Sequence, residues 1–248
     1  MRSLTQITAW SLALWLAACA NTEKATSEGV AEANFKLGIG YMQSGHLDVA
    51  LEKLNKALQH NDNYPDAHNA IAVLYEEIRE YGPAETHFKR ALELKSDFTL
   101  AKLNYARFLC ARDPARIPEG EGEFQKIAAD PANAGATAAD AYTGLAICAN
   151  KRADSAQAEV YLRKALESNP NATGALYEMA TLSQQQGKTL PARAFLQRYH
   201  AQTPPTPQSL WLGVEIEKAK DGNSQMRHEY SQFLLSKFPN SDEARRLK

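Results

Sequence analysis

The 248-residue chain lacks an excess of either charge: 28 Lys and Arg stand against 29 Asp and Glu, a formal net charge of -1. A surface built to hold a nucleic-acid backbone carries a clear basic excess, so that class of partner is excluded. Aromatics make up 8% and no basic stripe interleaves them, which also removes a stacking platform for single strands. The apolar run from Ile7 to Ala18 covers only 12 residues, where a membrane-crossing helix needs about 20. Three cysteines are too few for a metal-held or disulfide-dense mini-domain. Catalytic motifs are missing as well. The six histidines (46, 60, 68, 87, 200 and 228) are scattered without a His-Glu-x-x-His pair, and neither a Gly-x-Ser-x-Gly elbow nor a phosphate loop is present. No enzyme activity, cofactor, metal or small-molecule substrate is therefore expected.

A repeat is what the chain does have. Leu37-Gly38, Tyr41, Ala50, Leu54 and Ala57 are answered, each 34 residues later, by Ile71-Ala72, Tyr75, Ala84, Phe88 and Ala91. That period, with small residues where two helices must approach closely, is the signature of the tetratricopeptide repeat. The pattern returns as Leu145-Ala146, Ala158, Leu162 and Ala165, and again as Met179-Ala180, Ala192 and Leu196. The expected fold is all-α: an α-solenoid of about six helix pairs forming a right-handed superhelix. Its units are 31–64, 65–98, an irregular 99–138, 139–172, 173–206 and a degenerate 207–248. In the third unit Asp113-Pro114 and Ile117-Pro118 interrupt the turn, and the second helix is expected from about Glu119 to Ala129. Glu119, Glu121 and Glu123 read as its solvated start, since glutamates two apart on a helix do not converge. Gly45 and Gly82 are assigned to the turns of the first two units, and Pro65 to a helix start.

The N-terminus stands apart. Arg2 followed by the short apolar run reads as a signal peptide, residues 1–18. Leu16-Ala17-Ala18-Cys19 looks like a bacterial lipobox, which implies cleavage before Cys19 and acylation of that residue; the alternative is an ordinary cleaved signal with a chance cysteine. Residues 19–30 would then form a lipidated flexible tether, polar and without apolar periodicity. Several acyl chains anchor durably, because each buried methylene contributes about 0.8 kcal/mol. Ala20, in place of an Asp, fits the outer membrane rather than retention at the inner one.

In an exported chain, Cys110 and Cys148 suggest a disulfide. They fall at positions 12 and 10 of adjacent first helices, at similar heights. The alternative is two separate buried thiols. Recognition is expected in the groove lined by repeat positions 2, 5, 9 and 12. In the first unit these are Glu32, Phe35, Ile39 and Met42, and the three apolar residues make a candidate peptide or helix seat. Packing against the tether or the next repeat is the competing account. The second unit offers Asp66, Asn69, Val73 and Glu76, and the fifth Gly174, Tyr177, Thr181 and Gln184.

Lipobox, repeats, Phe108-Leu109-Cys110, Ile147-Cys148 and the segment Thr206-Pro207-Gln208-Ser209-Leu210-Trp211-Leu212-Gly213 occur together. In that combination the chain resembles the type IV pilus biogenesis/stability lipoproteins called PilF or PilW. The resemblance implies a lipid-anchored outer-membrane protein facing the periplasm, acting as pilotin for the pilus secretin and promoting its localisation and multimerisation. A lipoprotein scaffold for cell-wall enzymes or outer-membrane protein assembly would share the anchor and fold but not the partner.

Overall fold

A computed structural model of the chain describes residues 26–247. The expected signal peptide, Cys19 and residues 19–25 of the tether lie outside the described residues. Helix α1 covers residues 26–43, so residues 26–30, assigned to the tether from sequence, are helical. There follow α2 (Leu47–His60), α3 (Pro65–Glu77), α4 (Tyr81–Leu94), α5 (Thr99–Arg112) and α6 (Ile117–Ala129). The remainder is α7 (Ala136–Lys151), α8 (Ser155–Ser168), α9 (Thr173–Gln185), α10 (Thr189–Gln202), α11 (Pro207–Ile216), α12 (Ser224–Lys237) and the short α13 (Asp242–Arg245). Among the described residues there is no strand, and no helix is long and apolar enough to cross a membrane. Helices α1–α12 make the six expected pairs. Packing divides the chain into two compact units, Met1–Tyr105 and Ala106–Lys248.

One contact recurs in each regular pair. Ala50, Leu54 and Ala57 on α2 are fully buried, as are Ala84, Phe88 and Ala91 on α4 and Ala158, Leu162 and Ala165 on α8. Spacings of four and three residues put each trio on one helix face. The large central side chain needs a small residue opposite. A Cβ on Gly38 would lie 2.6 Å from Leu54 Cγ, and one on Gly213 2.7 Å from Tyr230 Cδ2. Burial of such a Leu or Phe is worth roughly 1.5–3 kcal/mol, so packing rather than propensity fixes the pairs.

The turns between paired helices share a geometry that composition hides. Position 15 of the first, second, fourth and fifth repeats is Gly45, Arg79, Ala153 and Gly187, and all four have φ between 60 and 76°. At each, this residue's N–H donates to the carbonyl three back while the next N–H donates to the carbonyl five back, as in Gly187 to Gln184 and Lys188 to Ser183. This is the Schellman termination. Gly82, expected in the second turn, instead lies inside α4.

In the second unit, the irregular repeat is accommodated by two 3-10 turns, Pro114–Arg116 and Pro131–Asn133. Each is capped by the preceding aspartate: Asp113 accepts from Ala115 N and Asp130 from Ala132 N. Helix α6 starts two residues ahead of expectation. Helix α7 begins at Ala136, three residues before the expected unit start at 139. Of the three glutamates, Glu119 and Glu123 pair with Arg116 and Lys126 at the surface. Glu121 corrects the solvated assignment: it is 9% exposed and ion-paired with Arg152 at 2.9 Å. Cys110 and Cys148 form a disulfide, with Cα atoms 5.3 Å apart. It ties α5 to α7, and α6 is held close by, where a Cβ on Gly120 would meet Ala106 O at 2.6 Å and Cys110 Sγ at 2.7 Å.

Candidate functional site

Helix α1 presents the expected groove residues at one-turn intervals. Phe35, Ile39 and Met42 are each half-buried, and all pack against a core of Ala50, Leu54, Ala70, Ile71 and Leu74. The Phe35 ring lies 5.1 Å from that of Tyr64, between α2 and α3. Packing against the next repeat therefore takes part of each side chain, and the remainder stays accessible. Leu37, on another face of α1, is 52% exposed.

Close by is a pair of imidazoles. His68 Nδ1 lies 2.9 Å from His87 Nδ1, and His68 Nε2 is 3.0 Å from the Asp62 carbonyl oxygen. A carbonyl can only accept, so Nε2 of His68 carries the proton; its Nδ1 then accepts from His87 Nδ1–H. Burial lowers the pKa of His68, helped by Arg90 and opposed by the Asp62 carbonyl and carboxylate. Burial and then His68 lower that of His87 to about 4. Both rings are neutral at pH 7, and the pair is a structural link between α3 and α4. The unfolded chain binds these protons more readily, so stability is full above about pH 6.5 and is lost as pH falls toward 4, with His87 contributing on the order of 3 kcal/mol. Denaturant midpoints at pH 7, 6 and 5 should fall more steeply for the native chain than for His87→Gln. Parallel slopes would reject the assignment.

A concavity lies in the last two repeats. It has a volume of about 330 Å³, with Tyr177, Thr181 and Gln184 of α9 on one wall. Gln208, Trp211 and Glu215 of α11 form the other. Tyr177, Thr181 and Gln184 are the groove positions expected for the fifth unit, and positions 2, 5 and 9 of the sixth complete the set. Glu243 and Arg246, at the end of the chain, also reach it. The Arg246 guanidinium stands 5.6 Å from the Trp211 ring. These two residues were not foreseen, because α13 is four residues long and carries no periodic signal. Its seat is apolar: Ala244 is fully buried with Leu210 and Leu234. A smaller cavity of about 240 Å³ lies beside α12, lined in part by His200, Tyr230 and Phe233. Among the described residues, no group of three or more His, Cys, Asp or Glu is placed to hold a metal ion. The half-exposed apolar face of α1 and the concave pocket of the last two repeats are the surfaces placed to receive a chain segment.

Comparison with known proteins agrees with this geometry. Tetratricopeptide-repeat family models match residues 31–64, 65–98 and 139–172. The type IV pilus assembly protein PilF of Pseudomonas aeruginosa is 28% identical over 197 residues, covering 79% of this chain and 76% of that protein. The crystal structure of PilW, described as a widely conserved type IV pilus biogenesis factor, superposes with a TM-score of 0.65 at 28% identity, covering 88% of this chain and 98% of that one. That of Pseudomonas aeruginosa PilF gives 0.62 at 25% identity, covering 90% and 98%. With the repeat pairs, the turn geometry and near-complete coverage of both solved chains, this chain is a tetratricopeptide-repeat protein similar over most of its length to the type IV pilus biogenesis proteins PilF and PilW.

Proposed function

We propose that this protein is an outer-membrane lipoprotein facing the periplasm that acts as pilotin for the type IV pilus secretin. The observation that carries the reading is the similarity to PilF and PilW across nearly the whole length of both solved chains. Acyl chains on Cys19 supply the membrane address, and the accessible parts of Phe35, Ile39 and Met42 receive an apolar secretin segment. Holding subunits at the membrane raises their local concentration, which favours ring assembly without any new contact between them.

Phe35→Asp or Ile39→Asp is expected to weaken capture of the secretin by about tenfold or more, since one buried apolar anchor is worth roughly 1.5–3 kcal/mol. Circular dichroism separates loss of the seat from loss of the fold, and undiminished pull-down by a folded variant would reject this groove. Deleting the gene should remove secretin multimers from the outer membrane, as should Cys19→Ser; normal multimers in the deletion strain would sink the pilotin reading altogether.

A further inference from the structure

The concave pocket of the last two repeats has a composition unlike the apolar groove of the first. Two carboxylates and one guanidinium line it: Glu215, Glu243 and Arg246. Glu215 is paired with Lys218 at 3.5 Å, but Glu243 has no ion pair among the described residues. Glu178, next to Tyr177 in α9, is half-buried, and burial raises its pKa; it too has no ion pair there. The Tyr177 hydroxyl is pushed up by burial and by its neighbours Glu178, Tyr199 and Glu243, which reports a negative local field. Aromatic faces in such a field favour a cation. Arg246 demonstrates the preference, because its guanidinium already occupies the Trp211 face. Beside it, the Gln184 and Gln208 amides make no side-chain hydrogen bond among the described residues. They are free to bond an extended backbone, and the Thr181 hydroxyl, which donates to Tyr177 O, can still accept.

We propose that this pocket is a second docking site, distinct from the first-repeat groove, for an extended peptide segment bearing an arginine or lysine. The incoming cation takes the place of Arg246 over Trp211, between Glu215 and Glu243, while the glutamine amides bond the peptide backbone. Arg246 is exposed and can swing away, whereas α13 stays because Ala244 is fully buried. The free protein thus fills its own cation seat, and a partner competes with that contact.

The test is fluorescence anisotropy of the full chain with three labelled dodecapeptides, (Gly-Ser-Arg)₄, (Gly-Ser-Gln)₄ and (Gly-Ser-Glu)₄. The arginine peptide should bind most tightly. Glu243→Gln, a substitution at a half-buried position without hydrogen bonds, should weaken it by about fivefold, and Trp211→Leu by at least as much. Arg246→Ala should tighten it by about threefold, because the competing side chain is gone. Equal affinity for the arginine and glutamine peptides, no measurable binding of any, or no effect of Glu243→Gln would overturn the proposal. So would preference for the glutamate peptide with loss on Arg246→Ala, which would make Arg246 the recognition group for an anion. None of these outcomes bears on secretin capture by Phe35 and Ile39, so failure here and failure of the pilotin reading are distinguishable.

Discussion

Replacing Cys110 and Cys148 together by alanine is expected to lower the stability of the second unit by about 4 kcal/mol, the chain-entropy estimate for a bridge between residues 38 apart. Both side chains are buried, at 3% and 0% exposure, so serine would add an unsatisfied hydroxyl; alanine isolates the cross-link. The bridge spans the irregular third repeat. Between its ends lie two 3-10 turns and the α6 helix, whose buried apolar residues are Ile117, Phe124 and Ile127. In the unfolded chain the cross-link closes a loop around this stretch and so removes part of its freedom before folding begins. Denaturant unfolding of native, reduced and double-alanine chains checks the figure. A reduced chain within about 1 kcal/mol of the oxidised one would show that α5–α7 packing holds the irregular repeat without help.

The repeat was legible because its signal is a contact. Ala50, Leu54 and Ala57 recur as Ala84, Phe88 and Ala91 since each trio buries the same face, and a small residue must stand opposite the large one. What eluded sequence reasoning depends on geometry that residue type does not announce. The left-handed turn position is glycine twice but Arg79 and Ala153 in the other two repeats, held there by the same pair of backbone hydrogen bonds. Composition therefore pointed to Gly82, which is helical. Glu121 looked solvated because Arg152, its partner, lies 31 residues further on, in the turn just past the end of α7. Repeat position also does not apportion a side chain between groove and neighbour: Phe35, Ile39 and Met42 each serve both. Of the C-terminal pocket, the α9 wall was legible from repeat positions; its Glu243 and Arg246 were not, because a four-residue helix beyond a degenerate repeat has no period to detect.

Glu217→Ala is expected to destabilise the last two repeats by about 3–5 kcal/mol, the cost of leaving one member of a buried ion pair alone. Arg193 Nε donates to Glu217 Oε1 and its terminal nitrogen to Oε2, both at 2.6 Å, and Asn223 N–H donates to Oε2 at 2.7 Å. The Glu217 and Arg193 side chains are 1% and 19% exposed. Burial alone would raise the Glu217 pKa, but the Arg193 hydrogen bonds and the Asn223 N–H outweigh it and the pKa is lowered. Its contribution is thus present above the ordinary glutamate value and is lost as pH falls below it. The pair clamps the link from α11 to α12 onto α10, and Thr189 Oγ1 donates to Asp221 at 2.6 Å within the same link. Arg193→Met with Glu217→Leu should recover much of what either single change loses, since two apolar side chains leave no charge unpaired. Additive losses in that cycle would show that the pair is worth no more than its packing. Hydrogen exchange along α11 and α12 gives the local readout. If the clamp fixes α11 as argued, Glu217→Ala should also weaken arginine-peptide binding at Trp211, while the native chain keeps both wall and cation seat in register.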